Sequence, residues 1–578
     1  MSSHHNGAGL KIKINDRLKD ILNMRDRALR ALGDAFRGLT SAKGAHEIQL
    51  PASHQLMQPK ERIHGDLASN LALVSASCLG RPPREIAASI AEVLRADPLF
   101  ERVEVAGPGF INLFISPRCW RENLLEIYRQ GASFGTCQAG EGTKVLLEFV
   151  SANPTGPLHV GHGRGAAVGD SLGRILKAAG FEVEKEYYIN DVGNQMNTLG
   201  ASVYLRYQEL FGRKVDFPKE YYQGDYITDI AKDIVSAKAD AFLDKPMGSC
   251  LDFFVKTAVD DISAGIKKDL DDFGVSFDNW FSERIIHDSG LIEKTIRELS
   301  EMGHIYEEDG ALWFRATAFG DEKDRVVRRS NGVLTYFAAD MAYHRHKLER
   351  DYGLLVDIWG ADHHGYVPRV KAAIKALGYA EDKLKVLLVQ FVSLMEDGKT
   401  KSMSTRSGEF VTLREVLDEV GRDAARFMFL TRKSDSHLDF DLTLAKKEGQ
   451  ENPVYYVQYA HARLCSILKN AEELDINPAK SYDGVNTDLL ATQEDLDLLK
   501  HLDAFQQVVR ESAVALEPHR ISYYLTELAG LFHNYYAKNR FIGEDRGLTF
   551  ARLLLADTTR QVLENALGLL GVSAPKQM

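Results

Sequence analysis

The stretch that decides the fold begins Lys144-Val-Leu-Leu-Glu-Phe-Val150, continues as Ser151-Ala-Asn-Pro-Thr-Gly-Pro-Leu-His159-Val-Gly-His162-Gly-Arg-Gly165, and ends Phe181-Glu-Val-Glu-Lys-Glu-Tyr-Tyr188. We interpret the first part as a buried strand and the last part as the next strand, and Leu158–Ala179 between them as a helix. A strand, a crossover helix and a second strand form a βαβ unit with parallel strands. The sequence therefore predicts an α/β fold built on a parallel sheet.

Strand-like segments further along the chain, Leu354–Trp359 and Leu387–Val392, are expected to extend this sheet. Residues from about 200 to 325 are more acidic and helical in pattern, and we interpret them as a helical insertion. The sheet and its insertion together predict a central domain over residues 141–445.

The two ends of the chain differ in pattern from the centre. Helical periodicity in the first 40 residues and in Pro83–Arg95, followed by the β-rich run Val103–Ile115, indicates a small α+β domain over residues 1–140. From about Pro453 helical periodicity dominates, which predicts an all-α helical bundle over residues 446–578. We therefore expect a multidomain α/β protein.

Bulk composition limits the possible classes of protein. A chain of 578 residues exceeds what one hydrophobic core supports. The net charge of −11 repels a polyanion at long range, so a nucleic acid would have to be bound by local basic patches. The five cysteines form no CxxC pair, so we expect no structural zinc. No membrane span and no secretory leader are recognisable, so we expect a cytoplasmic protein.

The glycine-rich loop between the first strand and its helix has the features of an anion site. A helix N-terminus presents unpaired N–H groups, and His159 and His162 share one face of the first turn, where both can donate to phosphate oxygens. Gly161 would let a base or ribose approach the backbone. Alternatively, each histidine is a cap or a core residue. A dinucleotide fingerprint beginning at Gly161 is disfavoured, because ten residues separate this glycine from the strand.

Residues Ala152–His162 resemble the HIGH signature of class I aminoacyl-tRNA synthetases. The resemblance implies a Rossmann-like catalytic domain that binds ATP with Mg²⁺. It also implies that His159 and His162 stabilise the transition state when an amino acid attacks the α-phosphate, which is electrostatic catalysis. The other residues of this motif implied to bind ATP are Pro157, Leu158, Gly161 and Gly163.

The segment Asp397–Gly408 resembles the KMSKS signature of the same class, aligned on Met403 and Ser404. Both signature lysines are missing, because Ser402 and Thr405 stand in their places. The resemblance implies a catalytic loop in which Met403 contacts ATP, Ser404 takes part in catalysis, and the positive charge comes from Lys399, Lys401 or Arg406. Alternatively, Lys399 and Lys401 are solvated loop charges.

Several segments resemble arginyl members of the class. Leu334–Ala342 is similar to their YxxxDxA stretch, which implies that Tyr336 and Asp340 face the substrate side chain. A guanidinium needs carboxylates placed to accept paired hydrogen bonds. The other residues implied to bind arginine are Glu148, Ser151, Asn153 and Glu283. Those implied to close over the adenosine are Gly360, Asp362 and His363. Alternatively, the acids are solvated surface charges.

Segments outside the catalytic domain also resemble arginyl enzymes. Residues His64–Asn70 and Val105–Asn112 are similar to the N-terminal additional domain, which implies contact with the tRNA elbow. Asn452–Arg463 and Leu570–Pro575 are similar to the anticodon-binding domain. Within it Tyr455, Tyr459 and Arg463 are implied to stack on bases or contact phosphates. Alternatively, these tyrosines belong to the bundle core.

The resemblance implies ATP-dependent activation of L-arginine to arginyl-adenylate, which requires bound tRNA, and transfer to the 3′-terminal adenosine of tRNA(Arg). It implies no structural zinc and no membrane partner, and we expect a monomer. Two alternatives remain. One is a synthetase for another amino acid, although a cysteine enzyme would need zinc ligands. The other is an inactive paralogue that acts as an RNA-binding or scaffold protein.

Overall fold

The computed structural model describes residues 23–41, 50–400, 411–476 and 482–578. The N-terminal domain has a four-stranded antiparallel sheet of order β1 (Leu56–Met57), β2 (Leu67–Ser69), β4 (Phe110–Ile115) and β3 (Phe100–Ala106), and β3 and β4 form a hairpin over the predicted β-rich run. Its elements are α1 Met24–Ser41, β1 Leu56–Met57, β2 Leu67–Ser69, α2 Leu71–Leu79, α3 Pro83–Leu94, β3 Phe100–Ala106, β4 Phe110–Ile115 and α4 Pro117–Gln130.

The central domain begins with the predicted βαβ unit. Its first half contains β5 Lys144–Glu148, α5 Val160–Ala178, β6 Glu182–Ile189, α6 Asn194–Leu210, α7 Asp225–Lys238, α8 Met247–Asp272, β7 Asn279–Ser282, α9 Glu283–Asp288, α10 Leu291–Glu301, β8 Ile305–Glu308, β9 Ala311–Phe314 and β10 Arg325–Arg328. Its second half contains α11 Tyr336–Glu349, β11 Leu354–Gly360, α12 Val367–Ala376, β12 Leu384–Val389, β13 Val392–Glu396, β14 Lys399–Thr400, α13 Leu413–Val420, α14 Arg422–Phe429, β15 Leu438–Asp441 and α15 Leu442–Ala445.

The central sheet is parallel throughout and has the order β12-β11-β5-β6-β7. The chain leaves β5 towards β6 on one side, whereas β11 and β12 lie on the other side. This reversal of strand order opens a crevice at the carboxyl ends of β5 and β11, which is where open α/β sheets bind ligands. The parallel-sheet prediction is therefore confirmed, and it locates the site.

The stretch from about 200 to 325 differs from the predicted helical insertion. Helices α6, α7 and α8 fit that expectation, but β7 joins the central sheet as its edge strand beside β6. Strands β8, β9 and β10 form a separate antiparallel sheet. A strand of four residues is too short to show alternation, so pairing with β6 decides its conformation.

The predicted strand Leu387–Val392 is also two strands in the structure. Strand β12 ends at Val389, and β13 starts at Val392 in a different sheet of order β14-β13-β15. Gln390 and Phe391 form the break between the two sheets, at the carboxyl edge of the central one.

Helix α5 lies close to its neighbours because glycines replace side chains on its surface. A Cβ at Gly169 would lie 2.2 Å from the Phe149 ring, and one at Gly163 would lie 2.8 Å from Leu413. These close approaches bring β5 on one side and α13 on the other against the helix that begins at the signature histidines.

The C-terminal domain is the expected helical bundle, with α16 Pro453–Glu473, α17 Gln493–Ala515, α18 His519–Lys538 and α19 Arg546–Leu569. The N-terminal domain packs on α17, where Arg510 makes two hydrogen bonds of 2.9 Å with Asp26. Asp503 accepts from the backbone N–H of Met24 and from Asn123 at 2.7 Å. Across the parts of the chain that the structure describes, no helix is long and apolar enough to cross a membrane.

Candidate active site

A cleft of about 920 Å³ opens at the carboxyl edge of the central sheet. It brings together residues from β5, α5, α9, α11, β11 and β12, and its lining extends in sequence from Glu148 to Val392. The predicted site residues that line it are Glu148, Ser151, Asn153, His159, Gly161, His162, Glu283, Tyr336, Asp340, Gly360, Asp362 and His363.

Three residues of the first signature that are implied to bind ATP do not line the cleft. Pro157 is half-buried outside the lining. The Leu158 side chain is fully buried, and its carbonyl accepts from Leu413 N at 2.7 Å. Gly163 allows the close packing on Leu413 and Phe429. Packing accounts for Leu158 and Gly163, and contact of all three residues with ATP stays a prediction.

The second signature is only partly described. Lys399 follows a tight Asp397-Gly398 turn with positive φ at both residues and is exposed on β14, outside the lining of the cleft. The other predicted residues of this loop, Lys401, Met403, Ser404 and Arg406, lie outside the described residues.

The segment that follows this loop is joined to the first signature by backbone hydrogen bonds. Val160 N–H donates to Val411 O at 3.2 Å, Leu413 N–H donates to Leu158 O, and His159 and Thr412 form an antiparallel bridge. Residues 411–413, which follow the second signature, therefore lie against the histidine turn, although about 250 residues separate the two in sequence.

His159 and His162 form a reciprocal cap at the start of α5. His159 Nδ1 accepts from the backbone N–H groups of Gly161 and His162 at 3.1 and 3.3 Å, and His162 Nδ1 accepts from His159 N–H at 3.3 Å. The two rings stack with centroids 3.6 Å apart. Since each Nδ1 accepts a hydrogen bond, the proton of each neutral ring is on Nε2, which is a donor.

Burial keeps both rings neutral. Burial lowers the pKa of His162 to about 3, with His159 adding a smaller effect, and it also lowers the pKa of His159. The cleft therefore contains two neutral donors at a helix N-terminus, where the macrodipole favours anions. The alternative that these histidines are caps is correct, because they cap α5. They also line the cleft.

The backbone between β5 and this turn is strained. Ser151 N–H donates to Phe149 O at 3.0 Å and closes a three-residue turn around Val150, whose φ is +67°. A β-branched residue rarely adopts this conformation, which costs about 1–3 kcal/mol. The turn directs Ser151 Oγ to donate to Glu148 at 2.9 Å and to accept from Tyr188 N–H at 3.1 Å. Strain here serves to place polar groups at the floor of the cleft.

Two carboxylates, Glu283 and Asp340, share one side of the cleft. Burial raises the pKa of each, and the charge of Asp340 raises the pKa of Glu283 further. Glu283 receives hydrogen bonds from Tyr188 and His287, and Asp340 receives one from Tyr366. Within the described parts of the chain, neither acid forms an ion pair with lysine or arginine. This side of the cleft is therefore suited to a cation.

Glu148 belongs to a buried network beneath the cleft. It pairs with Lys347, which also pairs with Asp357 at 2.8 Å, and His344 lies 3.1 Å from Asp357. Tyr343 places its hydroxyl 2.8 Å from Glu148. Glu148 thus already has partners inside the protein, and burial raises its pKa although Lys347 opposes this.

Sequence reasoning missed several residues of the cleft: Tyr188, Asn190, Tyr343, His344, Asp357, Trp359, Tyr366, Gln390 and Phe391. Two signals were available for some of them. Tyr343 and His344 stand three and four residues after Asp340, which places them on one face of α11. Asn190 and Gln390 directly follow parallel strands at the edge where β5 ends.

An aromatic surface lies on the outside of the C-terminal domain. Tyr459 stacks between Tyr455 and His533, with centroids 6.0 Å apart on each side. The Arg463 guanidinium lies over the rings of Tyr459 and Tyr536 at 4.5 and 4.4 Å. Tyr455, Tyr459 and Arg463 are half-buried, so they contribute to packing and to the surface together.

Family models match almost all of the chain in three parts. Residues 25–115 match the arginyl tRNA synthetase N terminal domain, residues 124–441 the class I (R) tRNA synthetase catalytic domain, and residues 457–578 the DALR anticodon binding domain.

Similar proteins share this organisation. The arginine–tRNA ligase of Citrifermentans bemidjiense is 54% identical over 90% of this chain and 94% of its own length. That of Syntrophotalea carbinolica is 50% identical over 96% and 100%. The arginyl-tRNA synthetase structure from Thermus thermophilus is 24% identical, covers 95% of this chain and all of its own, and has a TM-score of 0.73, which supports the fold alone.

Proposed function

This chain belongs to the arginine–tRNA ligase family of class I aminoacyl-tRNA synthetases, and from that premise we propose how its residues perform the reaction. It is a ligase that uses ATP to join L-arginine to tRNA. The observation that carries the assignment of roles is that one cleft contains both the neutral histidine pair and the two buried carboxylates.

In the first step an oxygen of the arginine carboxylate attacks the α-phosphorus of ATP, and pyrophosphate leaves. His159 and His162 would donate from Nε2 to the oxygens of that phosphate as negative charge develops. The positive end of α5 acts in the same direction. Gly161, Gly360, Asp362 and His363 are proposed to surround the nucleotide, since all four line the cleft.

The arginine side chain is proposed to lie between Glu283 and Asp340. A guanidinium there would lower the raised pKa of both acids, and it would supply the cation with which they can form ion pairs. Tyr336, which is 63% exposed at the start of α11, is proposed to cover the substrate. Asn153 and Ser151 would contact the polar backbone groups of arginine, whereas Glu148 would act mainly through its buried network.

The second-signature loop is proposed to contact the pyrophosphate through Lys399, Lys401 or Arg406, with Ser404 and Met403 beside the nucleotide. Its support is the set of hydrogen bonds that attach residues 411–413 to the histidine turn. Substitution of each cation by Met would identify the one that acts. If all three variants kept full activation rates, the loop proposal would be wrong.

Mg²⁺ is proposed to enter with ATP. Magnesium is usually held by substrate phosphates and one or two carboxylates rather than by a protein cage. In the described ranges no three His, Cys, Asp or Glu residues are grouped as metal ligands, which fits this mode of binding. The ion would neutralise phosphate charge when bound.

In the second step a hydroxyl of the 3′-terminal adenosine attacks the activated carbonyl, and AMP leaves. Residues 446–578 are proposed to bind the anticodon through Tyr455, Tyr459 and Arg463, with His533 and Tyr536 completing the surface. Residues 1–140 are proposed to contact the tRNA elbow. Both steps are proposed to occur in one cytoplasmic monomer, and activation is proposed to require bound tRNA.

Charging of total tRNA with each of the twenty amino acids tests the function. We expect arginine alone to be attached, in a reaction that needs ATP. Attachment of another amino acid would contradict the pocket assignment. Charging with none would favour the alternative of an inactive RNA-binding paralogue.

A further inference from the structure

Arg164 is the largest fully buried side chain near the cleft, two residues after His162 on α5. Its Nη1 donates to the carbonyls of Gln390 and Ser436 at 2.8 Å, and its Nη2 donates to the carbonyl of Lys433 at 2.9 Å. All three acceptors are backbone groups, and they lie more than 220 residues further along the chain. The guanidinium therefore joins α5 to two distant segments.

This arrangement is an unfavourable place for a cation. Removing a guanidinium from water is unfavourable unless a counter-charge compensates it. Arg164 has no ion pair within the described parts of the chain, and its Nε has no hydrogen-bond partner. Burial lowers its pKa to about 10, and the charge of Asp435 offsets only part of this effect. An apolar side chain would avoid this desolvation but would leave the carbonyls of Gln390, Lys433 and Ser436 without their donor, so the buried charge serves to link these segments to α5.

The segment held by Arg164 forms one wall of the cleft. Gln390 is fixed on both sides, because its N–H donates to Ser434 O at 2.8 Å while its carbonyl accepts from Arg164. Its side-chain oxygen accepts from Phe391 N–H at 3.1 Å. The Phe391 ring is 62% exposed and lines the cleft, as does Gly165 next to Arg164. Both ends of the linkage therefore face the same cavity.

We propose that Arg164 is a positioning residue for the nucleotide: through Gln390 it keeps the Phe391 wall at a fixed distance from the histidine pair on α5. The proposal rests on the assignment of this cleft to ATP. ATP is a flexible molecule. The base and the phosphates therefore keep a fixed separation in the cleft only if the two walls that bind them keep a fixed distance from each other. Arg164 is the buried connection between these walls, and it touches no substrate itself.

Two substitutions separate the effect of the Arg164 charge from the effect of its hydrogen bonds to the three carbonyls. Arg164→Met removes the charge at similar length, and Arg164→Lys keeps the charge but cannot reach three carbonyls with one ammonium group. We expect both to raise KM for ATP at least about tenfold in tRNA-dependent pyrophosphate exchange, because misplacement by about 1 Å can cost a hundredfold. KM for arginine should stay within about twofold, since the acidic side of the cleft is untouched. Arg174→Met, which removes a guanidinium from the same helix outside the cleft, is the matched control.

A double-mutant cycle with Phe391→Ala tests whether Arg164 acts through that wall. If it does, Arg164→Met should raise KM for ATP much less in the Phe391→Ala background than in the wild type. Should Arg164→Met fail to fold, Gln390→Ala disturbs the same wall by removing the acceptor of Phe391 N–H, and it should also raise KM for ATP selectively.

Three results would overturn the proposal: an unchanged KM for ATP in folded Arg164 variants or in Gln390→Ala, full rescue by lysine, or additive effects in the cycle. Wild-type protein in the same assay tests the proposed function separately. Its failure to charge arginine would contradict the function, whereas normal wild-type charging with unaffected variants would contradict only the role of Arg164.

Discussion

Replacement of Glu283 by Gln removes one negative charge from the proposed guanidinium site and changes little else. The side chain is 6% exposed, so solvent screens its charge weakly. Glutamine has the same shape, and its oxygen can still accept from Tyr188 and His287. The substitution therefore tests charge rather than packing.

The expected magnitude follows from the hydrogen bonds lost. A hydrogen bond to a charged group contributes about 1.5–3 kcal/mol to the free energy of binding. At 1.4 kcal/mol per factor of ten, loss of this contribution should raise KM for arginine by about 10- to 150-fold. KM for ATP should not change, because the histidine pair and Phe391 are on other walls of the cleft.

The pH dependence provides a second measurement. Burial raises the pKa of Glu283 in the free protein, so the acid takes up a proton at a higher pH than an ordinary glutamate does. Arginine binds the ionised acid, and its KM should therefore rise as the pH falls towards that pKa. The Gln variant lacks this group and should lose that part of the pH dependence.

Steady-state charging with saturating tRNA would give both KM values from pH 5.5 to 8.5. Glu308→Gln, the same chemical change on exposed β8, serves as the control. Citrulline, a neutral analogue, should compete better with arginine in the Gln variant than in the wild type. A KM for arginine within twofold of wild type, or a rise in KM for ATP instead, would refute the assignment of Glu283.

Three further predictions follow from other parts of the molecule. Gly161→Ala should slow adenylate formation in single turnover, because the new Cβ would lie 3.0 Å from the His159 ring and displace it; an unchanged rate would argue against a role for that ring. Tyr459→Ala should raise KM for tRNA about 5- to 150-fold, from about 1–3 kcal/mol per stacked base, without changing KM for ATP; equal tRNA binding in a filter assay would remove it from the interface. Lys347→Met should lower the free energy of unfolding by about 3–5 kcal/mol in urea titration, because two buried carboxylates lose their cation; a loss below about 1 kcal/mol would mean that they are neutral in the native state.

Much of the fold could be predicted from short-range pattern. The β5-α5-β6 unit shows two strand-like segments around a helical period within Lys144–Ile189, and the C-terminal helices show their period over about 20 residues each. The histidine turn was also recognisable, because glycine and histidine at a helix start have a local physical meaning. Family resemblance supplied Glu283 and Asp340, which no local pattern distinguishes from other acids in an acidic chain.

Only the tertiary structure decided which distant groups meet. Strand β7 is a strand because β6 pairs with it, and Gln390 belongs to the cleft because Arg164 and Ser434 hold it there. The direction of the histidine protons depends on a reciprocal cap whose geometry no sequence spacing specifies. A sequence encodes periodicity and residue chemistry locally, whereas burial and hydrogen-bond partners come from contacts across hundreds of residues, and these set the charges on which the site depends.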